Sequence, residues 1–383
     1  MGKRYAISLF SGAGGFDLGI EAAGFSTKLC TDQDPHSCLT LKSNSFRLRR
    51  HPRFDFLSEA TVSCRDISAY SSSDMLADAG LRAGEVALVY GGPPCQAFSI
   101  FGRRKGMDDP RGTLLWEYLR VIKDIRPDCF IFENVPGLLT ILGGEIFKRF
   151  AEELSAPAGD DPGYGISWHL LDAASFGVPQ HRLRLILFGR RGDPLPCPTA
   201  THGAAGCNPT GLLPLVTVQD ALGSLPEPEE AKLPNHSGRV HGQEVRDRYG
   251  SLQYGQRDER TRINRLNPHT PSFTIVVGSN NGGGKGHVHP KSPREVTPRE
   301  SARLQSFPDF WEFSGMGRHV ISQVGNAVPP LFAAALGSHL LREAFGEIDA
   351  PGHDALLGQL GLDYLRLGQG CDGADFGRKE GSL

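Results

Sequence analysis

Cys95 stands in Gly91-Gly92-Pro93-Pro94-Cys95-Gln96, directly after the apolar run Val86 to Tyr90. Two glycines and two prolines fix a turn that presents one thiol at the carboxyl end of a strand, where open α/β sheets place their ligand sites. A cysteine there can be a small buried hydrophobe, but a thiol displayed by so constrained a turn is suited to covalent attack as its thiolate. Glu133, in Phe132-Glu133-Asn134-Val135-Pro136, ends the next apolar run and is expected beside Cys95 across neighbouring strand tips. Its carboxyl group can carry a proton to a ring nitrogen; a helix cap or a solvated acid is the plain alternative. Arg182 and Arg184, two apart in Gln180-His181-Arg182-Leu183-Arg184, enter a further apolar run and share one face of it. Their guanidinium groups offer fixed donors to a base carbonyl or a phosphate, with surface salt bridging as the competing account.

A second group of residues suits a nucleoside. Ser11-Gly12-Ala13-Gly14-Gly15 follows the first apolar run and opens a helix, so a ligand can approach the backbone and set its polar part at the helix N-terminus. Asp17 occupies the place of the third glycine of the dinucleotide fingerprint, which favours a nucleoside site without pyrophosphate. Asp32 ends the second run, about twenty residues on, where an acid accepts bonds from ribose hydroxyls.

These residues need a rigid frame, and the first half of the chain supplies its pattern. Tyr5 to Phe10, Thr27 to Thr31, Val86 to Tyr90 and Cys129 to Phe132 read as strands, and Phe16 to Ala23, Pro35 to Asn44 and Leu114 to Ile125 as helices. The alternation predicts an α/β fold, a parallel sheet covered by helices on both faces, with Trp168 to Leu171 and Leu183 to Phe188 as added strands. After Gly189 the texture turns to Pro, Gly, His and Arg without periodicity until about Pro293. The expected division is therefore a first domain over 1–189, a second over 190–295, and a return segment over 296–345 whose 323–345 helix packs on the first domain. Thr-Pro-Arg-Glu at Thr297 offers a capped helix start within that segment, and the tail over 346–383, rich in Gly and Asp, reads as loose with no assignable role.

Bulk properties exclude more than they identify. A chain of 383 residues, 39% hydrophobic and 22% charged, is that of an ordinary globular protein. The net charge of -2 gives no overall argument for nucleic-acid binding. Between Arg239 and Arg265, however, seven arginines face four acids. Eight cysteines scattered without a C-x-x-C pair point to reduced thiols and no zinc site. Met1 to Phe10 runs almost directly into a strand, and no apolar stretch is read as reaching transmembrane length, so the expectation is a cytoplasmic protein without membrane contact.

Taken together, the motifs resemble those of the DNA cytosine-5 methyltransferase family, bacterial restriction-modification type. Ser8 to Gly15 is similar to its first cofactor motif, Pro94-Cys95-Gln96 to its nucleophile motif, Glu133-Asn134-Val135 to its acid motif and Gln180-x-Arg182-x-Arg184 to its arginine motif. Arg299-Glu300 through Arg303-Leu304-Gln305-Ser306-Phe307-Pro308, and Gln323 through Pro330, resemble its last two. The six occur in the family's order and cover most of the chain outside about 190–290.

The resemblance implies a Rossmann-like, S-adenosylmethionine-dependent methyltransferase domain joined to a smaller, irregular target-recognition domain over the variable segment. It implies S-adenosylmethionine held by Phe10, Gly12, Gly14, Asp32, Asp66, Ile67 and Asn326, with no metal. Asp32 replaces the usual Glu, and Arg65 replaces the common Gly before Asp66. It assigns catalysis to Cys95, Glu133, Arg182 and Arg184. Ser99, Arg103 and Arg104 lie on a loop that closes over DNA, and Arg257, Arg260, Arg262 and Thr274 fall in the recognition region. The implied reaction is methyl transfer to C5 of a cytosine flipped out of a short duplex DNA site, through a covalent adduct between Cys95 and C6. A monomer, with a restriction endonuclease acting on the same site, completes that picture.

Other readings fit less well. The tRNA-methylating branch shares the cysteine and the acid but carries a Cys-Phe-Thr segment that this sequence lacks. Eukaryotic-style maintenance enzymes carry a regulatory region that is not seen before Tyr5. A catalytically idle DNA-binding regulator has no need of Cys95, Glu133 and Arg184 together, and a small-molecule methyltransferase leaves the long variable insert unexplained.

Overall fold

The computed structural model describes residues 2–49, 51–94, 113–157, 162–204, 211–230, 232–277 and 284–366. Seven strands, β1 (Tyr5–Leu9), β2 (Ser26–Asp32), β3 (Thr61–Cys64), β4 (Val86–Gly91), β5 (Cys129–Asn134), β6 (Tyr164–Asp172) and β7 (Leu183–Arg191), form one sheet in the order β3-β2-β1-β4-β5-β7-β6. Strands β1 to β5 pair in parallel, whereas β7 runs antiparallel between β5 and β6. The expectation of a fully parallel sheet is corrected at this edge. The link from β6 to β7 holds only the 3-10 turn Ala173–Phe176 and a short connector, less than the dozen or so residues that a parallel crossover takes.

Helices pack on both faces of the sheet; in chain order the helices of the described residues are α1 (Gly15–Ala23), α2 (Pro35–Leu48), α3 (Ser72–Ala79), α4 (Thr113–Ile125), α5 (Glu145–Ser155), α6 (Val218–Leu222), α7 (Gln243–Ser251), α8 (Pro298–Leu304), α9 (Gly317–Asn326), α10 (Pro330–Phe345) and α11 (His353–Leu360). Because strand side chains alternate, β5 sends Phe130 and Phe132 into one core with Met75, Tyr118, Ile122 and Phe150, and Cys129 and Ile131 into the other with Phe16, Ile20 and Phe332. The contact between α1 and α10 depends on two glycines. A methyl group on Gly19 would stand 2.4 Å from the Ala333 Cβ, and one on Gly337 2.7 Å from the Ala23 Cβ, so their absence lets the helices approach closely.

Parts of the variable segment join this large core through Leu195, Val216, Val218, Ala221 and Leu222, while Tyr249, Leu252, Ile263 and Val288 form a small core of their own. The short helices α6 and α7 interrupt a stretch read as aperiodic. At α8 the Thr297 hydroxyl accepts from the Glu300 N–H and the Glu300 carboxylate accepts from the Thr297 N–H, the capping box its sequence suggested. The tail is not loose up to Arg366. Leu356, Leu357, Leu360, Leu362 and Leu365 are each at most 2% exposed and belong to the large core. The span Gly317–Phe345 is, contrary to expectation, long and apolar enough to cross a membrane by length and composition, yet 78% of its most apolar window is buried inside the protein and residues 327–329 break it into α9 and α10.

Candidate active site

The carboxyl ends of β1, β2, β4 and β5, with the entry to β7, surround a cleft of about 1020 Å³. At one end Arg184 Nε lies 2.8 Å from Glu133 Oε1, each side chain 12% exposed. Strands β4 and β5 are neighbours in register, Gly91 opposite Phe132, so the Gly92-Pro93-Pro94 turn and Glu133 leave adjacent strand tips. Asn134 Nδ2 donates to the Pro93 carbonyl at 3.1 Å and ties the turn to the strand that carries the acid. Pro94 lines the cleft. Cys95 lies outside the described residues, as do Ser99, Arg103 and Arg104.

Arg182 also lines the cleft, yet is only 2% exposed. Its Nε and Nη1 have no hydrogen-bond partner among the described residues. Burial first, and then the positive charge of Arg184, push its pKa down to about 9. Its backbone N–H donates to Asp172 Oδ1 at 2.8 Å, which fixes the entry to β7. Arg184 Nη1 donates to the Leu183 carbonyl at 2.8 Å.

The other end of the cleft is built on a turn in the left-handed region, with φ of 55° at Phe10, 54° at Gly12 and 86° at Gly14. Asp32 organises it. One carboxylate oxygen accepts from the Gly12 N–H and the other from the Asp34 N–H, both at 2.8 Å, and burial raises its pKa. Asp66 accepts from the Ser68 N–H and hydroxyl, which lowers its pKa, and Ile67 is buried beside it. Phe10, Gly12, Asp32, Asp66, Ile67 and Asn326 all line the cleft, but Gly14 does not. A methyl group on Gly14 would meet the Trp311 ring at 2.7 Å, so this glycine serves the packing behind the turn, where Trp311 Nε1 donates to the Ala13 carbonyl. Asp17 is buried too, accepting from the Tyr90 hydroxyl and the Cys30 thiol.

Sequence reasoning missed Gln33, Asp34, His36, Ser37, His319 and Gln323, which also line the cleft. The signal for four of them was present. Asp34 accepts from the Ser37 N–H and Pro35 fills the first helical position, so the start of α2 is a capped N-terminus opening on the cleft. His319 and Gln323 come from α9, far away in sequence, and Thr40 Oγ1 donates to Gln323 Oε1 at 2.6 Å.

Thr274 is joined to the arginine strand. Its hydroxyl donates to the His181 carbonyl at 2.6 Å, and the His181 N–H donates to the Ser272 carbonyl at 2.9 Å. Arg257, Arg260 and Arg262 are exposed on a tight loop and none lines the cleft. Asp258 holds that loop by accepting from the Thr261 N–H and from Arg248 Nε, both at 2.7 Å, while Arg260 pairs with Glu244 at 2.6 Å. No group of three metal-ligating side chains occurs among the described residues.

This geometry has relatives. The family of C-5 cytosine-specific DNA methylases matches residues 5–342. The Type II methyltransferase M.AquIA of Picosynechococcus is 42% identical over 234 residues, 58% of this chain and 90% of that protein. M.XorII of Xanthomonas oryzae is 30% identical over 411 residues, covering 94% and 90%. A crystal structure described as a putative DNA modification methyltransferase encoded within an E. coli prophage superposes with a TM-score of 0.68 at 26% identity, covering 90% of this chain and 100% of that one. Spodoptera frugiperda DNMT2 shares the fold, at a TM-score of 0.60 and 15% identity over 88% of this chain and all of that one. With the family matched across nearly its whole length, this chain belongs to the C-5 cytosine-specific DNA methylases and is a DNA (cytosine-5-)-methyltransferase.

Proposed function

We propose that the enzyme transfers a methyl group from S-adenosylmethionine to C5 of a cytosine flipped out of a short duplex DNA site, with Cys95 as nucleophile. The observation that carries this reading is the Arg184–Glu133 pair beside the turn that leads into Cys95. Cytosine C5 is a poor nucleophile until a group adds at C6. The Cys95 thiolate forms that bond, and the electron pair of the C5–C6 double bond moves onto C5, spreading through C4 toward N3, so that C5 becomes nucleophilic. Glu133 hydrogen-bonds or protonates N3, and Arg184, held against Glu133, offers its remaining donors to the O2 carbonyl, where charge gathers. After C5 is methylated, loss of its proton, to water in this reading, restores the double bond and expels Cys95. Arg182 supplies buried donors at the same end of the cleft, two of them without a partner among the described residues.

The cofactor end fits an adenosyl group. The Phe10–Gly14 turn brings backbone close to a ligand, Asp32 is a carboxylate at a strand tip, and Ile67 and Phe10 provide apolar walls. Phe10, Gly12, Asp32, Asp66, Ile67 and Asn326 would hold it, with Gly14 supporting the turn from behind. When bound, S-adenosylmethionine supplies the electrophilic methyl group.

In this reading 190–295 is the target-recognition domain, following the catalytic domain over 1–189, and 296–345 returns to it. Thr274 links recognition to the arginine strand, and Arg257, Arg260 and Arg262 meet DNA phosphates or base edges. The enzyme acts as a cytoplasmic monomer and protects sites cut by a companion restriction endonuclease, as the Type II names of its relatives suggest. Methyl transfer from labelled S-adenosylmethionine to unmethylated duplex DNA, run beside tRNA and with Cys95→Ala, tests the reading. Label in 5-methylcytosine at one short DNA site, lost in the variant, supports it; label confined to tRNA overturns it.

A further inference from the structure

We infer that Gly92 is a positioning residue for the Glu133 carboxylate, an inference that rests on the catalytic role proposed for Glu133. A methyl group built on Gly92 would stand 2.5 Å from Glu133 Oε2, against the 3.4 Å at which ordinary contact begins. Its next neighbours are the Glu133 carbonyl oxygen at 3.2 Å and Cβ at 3.6 Å, so the three atoms nearest to a side chain at 92 all belong to Glu133. Unlike Gly12 and Gly14, Gly92 is not among the residues with positive φ. A left-handed backbone is therefore not what calls for glycine here; the close approach of the acid is.

The two oxygens of Glu133 are held differently. Oε1 is fixed by Arg184 Nε at 2.8 Å, and Oε2 rests against the bare Cα side of Gly92. A Gly92→Ala side chain would drive Oε2 away by about 1 Å while Arg184 pulls on Oε1, and a shift of that size at a reacting centre costs on the order of a hundredfold in rate. The turn that precedes residue 95 in the chain thus sets the acid's place. Gly91 is different: a methyl group there would strike the Leu9 carbonyl at 2.2 Å, so its substitution disturbs the sheet itself.

The test is a double-mutant cycle on Gly92→Ala and Glu133→Asp, reading kcat on duplex DNA, S-adenosylmethionine affinity and the melting temperature. Gly92→Ala is expected to fold with a melting temperature near that of the parent, to bind the cofactor with unchanged affinity, and to lose on the order of a hundredfold in kcat. In the Glu133→Asp background, where the shorter carboxylate withdraws from residue 92, the same change is expected to cost less than tenfold. Full activity of Gly92→Ala, or an equal loss in both backgrounds, overturns the inference. Glu133→Gln is the separate control. Parental turnover in that variant removes the catalytic reading of the acid itself, whatever Gly92 does.

Discussion

Arg184 Nε and Glu133 Oε1 lie 2.8 Å apart, joining the antiparallel strand β7 to the tip of β5 at the floor of the cleft. The pair couples the acid and the carbonyl-binding donor of the proposed mechanism. Arg184→Ala leaves a largely buried carboxylate without its cation, and turnover is expected to fall by roughly two to three orders of magnitude. Arg184→Lys is expected to recover little, because an ammonium cannot reproduce the planar fork. Steady-state kinetics on duplex DNA check both; parental kcat in the lysine variant would contradict the geometric argument.

Arg182 predicts a separation of stability from activity. Its guanidinium is buried, with two nitrogens unpartnered among the described residues, so replacing it with an apolar residue of similar length removes a desolvated charge. Arg182→Met is expected to melt at or above the parental temperature while turnover drops at least tenfold. A marked fall in melting temperature would show that the fold, not the substrate, uses those donors.

The arginines of the 257–262 loop belong to a different measurement. Replacing Arg257, Arg260 and Arg262 together by alanine is expected to weaken DNA binding and to flatten its salt dependence by roughly 0.9 logarithmic units for each phosphate the variant no longer neutralises. The Arg260–Glu244 pair is exposed, so little stability goes with it. Titrations at several salt concentrations decide this, and an unchanged slope removes these residues from the DNA interface.

A pH effect follows from Glu21. Burial pushes its pKa from 4.5 up to about 8, although its carboxylate accepts from the Thr27 and Leu57 N–H groups. Below 4.5 both folded and unfolded chains hold the proton. Between 4.5 and about 8 the unfolded chain releases it while the fold keeps it, so stability declines as pH rises through that window. Melting temperature is expected to fall from about pH 5 to about pH 8 more steeply in the parent than in Glu21→Gln; parallel profiles would contradict this.

Six of the seven strands of the main sheet were legible as apolar runs with the candidate site residues at their ends, whereas β3 was not, because only Ser63 of its four residues is buried. Glu133 and the Gly92-Pro93-Pro94 turn emerge on neighbouring tips as their spacing suggested. The antiparallel β7 was not legible, since direction depends on connector length and not on strand composition. Helix α3 hid because Met75 is its one large buried side chain, giving no periodicity to read. The tail misled through its glycines and acids, although its leucines are what the core takes. Leu360 is fully buried, and Leu360→Ala is expected to cost about 2–5 kcal/mol in a denaturant titration. Gly14 has a second demand on it that its motif did not show, because Trp311 packs within 2.7 Å of where a Cβ would stand.

The central claim, covalent catalysis at Cys95, is tested most directly by trapping. In a duplex carrying 5-fluorocytosine at the target position, the fluorine cannot leave as the C5 proton does, so the adduct persists after methyl transfer. With S-adenosylmethionine present, mass spectrometry is expected to find one protein–DNA cross-link, mapping to Cys95 among the eight cysteines and absent in Cys95→Ala. A cross-link at another cysteine, or methylation of ordinary duplex with no trapped species on the fluorinated one, would contradict the account.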